Sequence, residues 1–120
     1  MKVVPMIHVP DVRATARWYE EIGFRIERVE ENQGTLDRAL LSFGETQIVL
    51  DAGGRPSNAP RREVDLYVET RDVDRLYLGL KDRVEIVEPP HDTFAGMREF
   101  IIRDPNRFWM TFGEPQPAPN

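Results

Sequence analysis

The stretch GMREFIIRDPNRFWMTFGEP, residues 96–115, has the pattern of two β-strands joined by a short turn. Arg98, Phe100 and Ile102 occupy alternate positions, as in a strand with one buried face. Asp-Pro-Asn at 104–106 is typical of a turn, and a second apolar run follows it. The stretch therefore predicts a closing hairpin, with strands over 97–103 and 107–112.

The first half of the chain carries a pattern of strand, helix and three further strands. Asp11 stands where a helix N-cap belongs, and apolar side chains follow at i, i+4 and i+7 before Gly23: Val12, Ala16 and Tyr19. Pro5 indicates that the preceding strand lies at a sheet edge or is irregular. Strands are predicted over 2–9, 24–29, 36–43 and 46–51.

The second half repeats this pattern after a linker. Residues 52–61, AGGRPSNAPR, are rich in the residues typical of loops. A strand over 63–69 then leads to a helix capped by Asp72, which lies 61 residues after Asp11. The remaining strands are predicted over 84–87, 97–103 and 107–112.

The repeat predicts an α+β fold. Neither half alone can bury both its helix-facing and its strand-facing surfaces, so we expect the two halves to share a curved, mostly antiparallel sheet with a concave groove. We predict one domain, 1–120, made of two βαβββ modules over 2–51 and 62–114. Residues 115–120 are expected to form a flexible tail. Whether the modules pair within one chain or swap between chains stays open.

Composition and charge exclude several classes of function. The 120 residues carry 16 basic and 21 acidic side chains, a net charge of −5, with no basic block to follow a phosphate backbone, so nucleic acid is not an expected partner. The absence of cysteine removes disulfides, thiolate metal sites and cysteine nucleophiles. The apolar runs are too short for a membrane span or a signal peptide, so we expect no membrane partner and a cytoplasmic location.

Three features resemble a known family: the two βαβββ modules, the opening VPMIHVPDVRATARWYEEIGF and the closing hairpin. They are similar to the glyoxalase, bleomycin-resistance and extradiol-dioxygenase superfamily, also called vicinal oxygen chelate proteins, and the hairpin especially to its bleomycin-resistance branch. That branch usually has glycine after Asp-Pro-Asn, whereas this chain has Arg107. We therefore expect Asn106 to form the turn, or a turn of another type.

The resemblance also implies where a metal would bind. Metal-dependent members use two strands of each module to place His and Glu around one divalent ion. Carried over to this sequence, those positions are Val4, Val49, Asp65 and Thr111. Only Asp65 is a credible ligand, so we expect no metal, no other cofactor and no catalytic residue.

Strand alternation predicts the residues of the groove. If Leu66 and Val68 pack under the helices, Asp65, Tyr67 and Glu69 face the opposite way. By the same argument the first and last strands contribute groove residues, and the predicted ligand-binding set is Trp109, Tyr67, Asp65, Thr111, His8, Met6, Phe100 and Glu69, with Phe94 as a further candidate. Aromatic walls beside an acidic group suit a flat, cationic ligand.

Other aromatic and histidine positions have a structural interpretation. The aromatic side chains on packing faces are predicted to be core: Trp18, Tyr19, Phe24, Tyr77, Phe108 and Phe112. His91 is expected in an exposed loop before the seventh strand. Burial of Trp109 and its neighbours by a dimer partner is an alternative to ligand binding.

Three functions fit these observations. The leading hypothesis is a non-enzymatic binding protein of the bleomycin-resistance type, a homodimer whose grooves sequester an amphipathic or cationic small molecule. The alternative is a metal-dependent lyase, isomerase or dioxygenase with an atypical ligand set, Asp65 with His8 and Glu69 or Glu114. A small accessory domain that dimerises and senses a ligand is the third.

Overall fold

The computed structural model describes residues 1–117, and its contacts divide the chain into two compact units. Unit 1 is Met1–Ser57 and unit 2 begins at Asn58, so the boundary falls within the predicted linker. Hydrogen bonds group the strands into two four-stranded sheets, one in each unit. Each unit runs strand, helix, three strands, which confirms the α+β fold of tandem βαβββ modules.

Unit 1 contains β1 (Met6–His8), α1 (Val12–Glu21), β2 (Arg25–Asn32), β3 (Thr35–Phe43) and β4 (Thr46–Asp51). Its strand order is β1-β4-β3-β2, with β1 parallel to β4 and the other pairs antiparallel. The first strand is shorter than the predicted 2–9 and lies at the sheet edge, as Pro5 indicated. The Pro5 carbonyl still accepts a hydrogen bond from the Val49 N–H at 2.8 Å.

Unit 2 contains β5 (Leu66–Glu69), α2 (Val73–Leu80), β6 (Glu85–Asp92), β7 (Met97–Arg103) and β8 (Trp109–Pro115). Its order, β5-β8-β7-β6, repeats that of unit 1, again with one parallel pair. The loop predicted for His91 is wrong, because β6 continues to Asp92. An edge strand tolerates Pro89 and Pro90, and the register shifts between Glu88 and His91.

The helices pack on their own sheets through the predicted apolar stripes. Val12, Ala16 and Tyr19 of α1 are buried. Among the aromatic residues predicted to be core, the burial of four is confirmed: Tyr19, Phe24, Phe108 and Phe112. The other two, Trp18 and Tyr77, are partly exposed but contact buried rings, with centroid distances of 5.0 Å from Trp18 to Tyr19 and 5.5 Å from Tyr77 to Phe100.

The N-termini of the two helices are capped differently. Asp11 has an extended backbone, with φ of −134°, and its carboxylate accepts from the Ala14 N–H at 3.0 Å. The Asp72 carboxylate likewise accepts from the Arg75 N–H, at 3.3 Å, but Asp72 has φ of 57°. Its own N–H and that of Val73 donate to the Glu114 carboxylate, at 2.8 and 3.0 Å. Glu114 is therefore engaged in holding the start of α2.

The β7–β8 turn does not take the first of its two expected forms, the one made by Asn106. Arg107 itself adopts the left-handed conformation, with φ of 74°, rather than Asn106. The Asp104 carboxylate organises the turn by accepting from the N–H groups of Asn106 and Phe108, at 2.8 and 2.9 Å. This network fixes the loop around an arginine where a glycine would be unstrained.

The end of the described chain is partly tied to unit 2. Pro115 ends β8, and the Gln116 N–H donates to the Gly96 carbonyl at 2.8 Å, so the predicted flexible tail starts too early. Its last three residues, 118–120, lie outside the described residues. Neither helix of the described chain has the length and apolar character needed to cross a membrane.

Candidate functional site

Strand alternation separates the two faces of each sheet as predicted. In β5, Leu66 and Val68 are buried whereas Tyr67 and Glu69 are exposed. In β1, Ile7 is buried between two exposed residues, Met6 and His8. We call the side of each sheet that does not pack on its own helix the open face. The predicted ligand residues of β1 and β5 lie on these open faces.

On the open face of unit 2, Tyr67 crosses the neighbouring strand. Glu69 pairs with Gly113 of β8, and Gly113 pairs with Glu99 of β7. The Tyr67 hydroxyl passes over Gly113 and donates a hydrogen bond to the Glu99 carboxylate at 2.7 Å. A Cβ at Gly113 would lie 2.8 Å from Cζ of Tyr67 and closer still to its hydroxyl. The glycine therefore permits the tyrosine to reach Glu99.

The environment of Tyr67 keeps its phenol protonated. Partial burial, the hydrogen bond to Glu99 and the negative charges of Glu99 and Glu69 raise the pKa of Tyr67 from 10.0 to about 12. The residue is nevertheless 49% exposed. It thus presents an accessible neutral aromatic ring flanked by two carboxylates, an arrangement that attracts cations.

Trp109 forms a second group on unit 2. Its indole N–H donates to the Pro60 carbonyl at 3.1 Å, and the guanidinium carbon of Arg61 lies 4.0 Å from the ring centroid. Arg61 also pairs with Asp65 through two hydrogen bonds, one of them Nε to Oδ1 at 3.1 Å. The Asp65 carboxylate raises the pKa of Arg61. The cation over Trp109 is therefore supplied by the chain itself.

Sequence reasoning brought Trp109 and Asp65 together but missed Arg61. Arg61 lies at the end of the predicted linker, where no strand or helix period predicts which way a side chain points. The four-residue spacing of Arg61 and Asp65 predicts an ion pair only on a helix, and this segment forms none.

Two further predicted residues of unit 2 are less accessible. Thr111 pairs with Tyr67 across the β5–β8 ladder but is buried. The expectation that Phe100 lines the groove is wrong, because Phe100 is fully buried. It pairs with Phe112 across the ladder, and residues paired in this way point to the same sheet face, here the one that packs on α2. Phe94, the other candidate, is fully exposed in the β6–β7 connection.

On the open face of unit 1, His8 lies in a row of polar groups. It pairs with Asp51, which pairs with Arg38 of β3. Arg38 donates to the Asp51 carboxylate at 2.9 Å, and His8 Nδ1 lies 3.6 Å from the other carboxylate oxygen and 3.1 Å from the Ala52 carbonyl. The hydrogen bond from Arg38 lowers the pKa of Asp51. Met6 lies beside this row, paired with Val49.

Unit 1 also has a cleft of about 410 Å³ beside the start of α1. Asp11, Arg13, Thr35 and Ala52 are among its lining residues. None of the predicted ligand residues lines it. The cleft meets the polar row of unit 1 only at Ala52, whose carbonyl lies 3.1 Å from His8 Nδ1.

The residues at the family's metal positions do not fit a metal ion. In unit 1 both positions are valine, Val4 and Val49. In unit 2 Asp65 is paired with Arg61 and Thr111 is a buried hydroxyl. Within residues 1–117, no three His, Asp or Glu side chains group closely enough to hold a metal. The atypical set that includes Glu114 is weakened further, because that carboxylate caps α2.

The chain is similar to known proteins both in sequence pattern and in fold. A family profile described as the Glyoxalase/Bleomycin resistance protein/Dioxygenase superfamily matches residues 3–112. None of the curated proteins compared with the sequence matches it. Many solved structures have a similar fold.

Three of these structures illustrate the likeness. TioX from Micromonospora sp. ML1 is 21% identical with a TM-score of 0.76, covering 100% of both chains. The bleomycin resistance determinant encoded on the transposon Tn5 is 17% identical with a TM-score of 0.75, covering 98% of this chain and 99% of that one. A glyoxalase/bleomycin resistance protein/dioxygenase from Alicyclobacillus acidocaldarius is 21% identical with a TM-score of 0.72, covering 95% and 92%. At these identities the likeness concerns the fold.

Proposed function

The chain belongs to the glyoxalase/bleomycin resistance protein/dioxygenase superfamily, and from that premise we propose that it is a non-enzymatic binding protein of the bleomycin-resistance type. It sequesters an amphipathic or cationic small molecule, with the open faces of its sheets as the binding surface. As the family resemblance implies, the grooves belong to a homodimer.

The observation that carries this proposal is the group formed by Tyr67, Glu99 and Glu69. The half-exposed Tyr67 ring is held by a 2.7 Å hydrogen bond from its hydroxyl to Glu99. The negative charge of Glu69 also acts on Tyr67 and helps to raise its pKa. A cation placed on the ring gains cation–π attraction and pairs with the carboxylates. The net charge of −5 adds a general attraction for cations.

Binding rather than turnover is the function that the side chains support. The positions that hold the metal in enzymes of this family carry two valines, a threonine and Asp65, which Arg61 already pairs. One oxygen of the open-face Glu99 carboxylate accepts a hydrogen bond from the Tyr67 phenol, whose pKa of about 12 keeps it protonated at neutral pH. These groups orient and neutralise a cationic ligand without a step that breaks a bond.

Calorimetric titration with metal-free bleomycin tests the proposal. We expect one site per chain in the unaltered protein, and at least tenfold weaker binding, about 1.4 kcal/mol or more, in Tyr67→Ala and Glu69→Gln. Glu21→Gln on α1 is the matched control, because it removes the same charge from an exposed helix position.

The control separates a local effect from a general one. If Glu21→Gln weakens binding as much as Glu69→Gln, only net charge matters and the proposed site is wrong. Equal affinity in the unaltered protein and both open-face variants places the ligand elsewhere. Sedimentation equilibrium of the same samples tests the homodimer, which a monomer mass at all concentrations would contradict.

A further inference from the structure

Arg61 occupies a surface that has the features of a binding site for a guanidinium group. Its guanidinium carbon lies 4.0 Å from the centroid of the Trp109 ring. Two nitrogens of the same group donate to the two carboxylate oxygens of Asp65. An aromatic face and a bidentate carboxylate are the two partners that a planar guanidinium fits best.

This surface is held in place by groups other than Arg61. The Trp109 indole N–H donates to the Pro60 carbonyl at 3.1 Å, which anchors the nitrogen side of the ring. The same carbonyl accepts from Arg103 Nε at 2.8 Å, and the Arg62 N–H donates to the Arg107 carbonyl at 3.1 Å. The ring is therefore oriented whether or not the Arg61 side chain lies on it.

The Arg61 side chain is able to leave without breaking regular structure. It belongs to the segment between β4 and β5, which has no helix or strand, and half of it, 51%, is exposed. Exposed ion pairs and exposed cation–π contacts are individually weak. Rotation about side-chain bonds is enough to uncover Trp109 and Asp65.

We propose that Trp109 and Asp65 form a guanidinium-binding site that Arg61 fills in the unliganded chain and vacates for a ligand. The ligand class is a small molecule with a planar, substituted guanidinium or amidinium group. This inference rests on the proposed function, and it gives the cationic ligand a second point of attachment in addition to Tyr67, Glu99 and Glu69. It also makes Arg61 an internal competitor that sets the affinity of the site.

The charge arrangement favours a cationic ligand over an anionic one at this position. The Arg61 guanidinium already donates hydrogen bonds to both carboxylate oxygens of Asp65, which neutralises its positive charge. An anion approaching Arg61 would face that carboxylate at close range and would be repelled. A cation that replaces Arg61 inherits both of its contacts.

Nuclear magnetic resonance titration with phenylguanidinium tests the proposal directly. The reporter is the Trp109 indole N–H, which becomes the only tryptophan signal in a Trp18→Phe background. In this background we compare the parent with Arg61→Ala. If Arg61 covers the site for about nine-tenths of the time, its removal tightens apparent binding about tenfold.

Three controls accompany this comparison. Phenylurea is a neutral molecule of nearly the same shape and is expected not to bind. Asp65→Asn added to Arg61→Ala is expected to abolish the gain. Arg13→Ala removes an exposed arginine from an ion pair with Glu31 that involves no aromatic ring, and is expected to leave phenylguanidinium affinity unchanged. Arg61→Gln, which removes the charge but keeps most of the side chain, replaces Arg61→Ala if that variant fails to fold.

Equal or weaker binding of phenylguanidinium in Arg61→Ala, or in Arg61→Gln, overturns the proposal. A lack of phenylguanidinium binding in every variant also overturns it, because Arg61→Ala uncovers the site and a real site would then bind. Neither result bears on the bleomycin titration of the unaltered chain, which judges the proposed function by itself. Bleomycin binding without phenylguanidinium binding therefore identifies this inference alone as the failure.

Discussion

Replacing Gly113 with alanine is expected to dislodge Tyr67 from the open face of unit 2. The new Cβ would lie 2.8 Å from Cζ of Tyr67 and 3.3 Å from Cε1, below the ordinary contact distance of carbon atoms. The backbone of Gly113 is not left-handed, so alanine is tolerated there. The clash is relieved by swinging out the half-exposed tyrosine, which breaks its 2.7 Å hydrogen bond to Glu99.

Two opposing effects make the change in stability small. A hydrogen bond to a charged group contributes about 1.5–3 kcal/mol when it is protected from water, but Tyr67 is 49% exposed and water replaces much of it. Alanine in place of glycine returns about 0.4–1 kcal/mol by restricting the unfolded chain. We expect a net loss below about 1 kcal/mol in the free energy of unfolding.

The pKa of Tyr67 is the more sensitive measurement. Burial, the Glu99 hydrogen bond and nearby carboxylates hold this pKa at about 12, and all three weaken when the ring swings out. The pKa of Tyr67 in Gly113→Ala should therefore fall toward 10. It is measured by ultraviolet titration, and subtracting the curve of a Tyr67→Phe variant removes the signal of the other tyrosines. The parent loses stability as the pH rises from about 10 to 12, because the unfolded phenol ionises first, and the variant should lose less.

A matched control is available within the same unit. Gly79 lies in α2 with nothing within 4 Å of an added Cβ, so Gly79→Ala should leave the pKa of Tyr67 unchanged and slightly raise stability. A pKa that stays near 12 in Gly113→Ala would refute the reasoning, since the tyrosine would then keep its place beside an added methyl group.

Three further substitutions test the fold around the site. Arg107→Gly should raise the free energy of unfolding by about 0.5–1 kcal/mol in urea denaturation, because glycine adopts φ of 74° without strain at some entropic cost; a decrease would contradict this. Glu114→Gln should lower the free energy of unfolding by about 1–2 kcal/mol, because one of the two carboxylate oxygens that accept backbone N–H groups at the start of α2 is replaced by an amide nitrogen. An unchanged denaturation midpoint would contradict the capping role of Glu114. Arg38→Ala should raise the lowered pKa of Asp51 toward its ordinary value of 3.8. The ionised Asp51 stabilises the fold above that value and stops doing so in acid, so the loss of stability in acid should be smaller in the variant. An unchanged Asp51 pKa, measured by nuclear magnetic resonance, would contradict the pairing.

The fold followed from the sequence because its signals are local and repeated. Asp11 and Asp72 mark two helix starts, and the apolar stripes after them repeat at helical spacing. Period-two alternation in β5 assigned Leu66 and Tyr67 to opposite faces, and the observed burial agrees. These features depend on residues close together in the chain, which a single sequence displays.

The errors arose where distant residues decide the outcome. The ladder register that pairs Phe100 with Phe112, and so buries it, is not visible in either strand alone. The left-handed Arg107 is held by Asp104, through a turn network that departs from the usual glycine. Arg61 lies in a segment without regular structure, and its contact with Trp109 spans 48 positions of the sequence. Side-chain direction in such a segment is set by tertiary contacts.

Native mass spectrometry of the unaltered protein tests most directly whether this chain binds a ligand rather than a catalytic metal. The protein is exposed to excess Mn, Ni or Zn and exchanged into metal-free buffer, and a second sample is mixed with metal-free bleomycin. We expect a dimer mass with no retained metal in the first sample and one bleomycin per chain in the second. One metal ion retained on each chain would contradict the account and make a metal-dependent reaction the function to test.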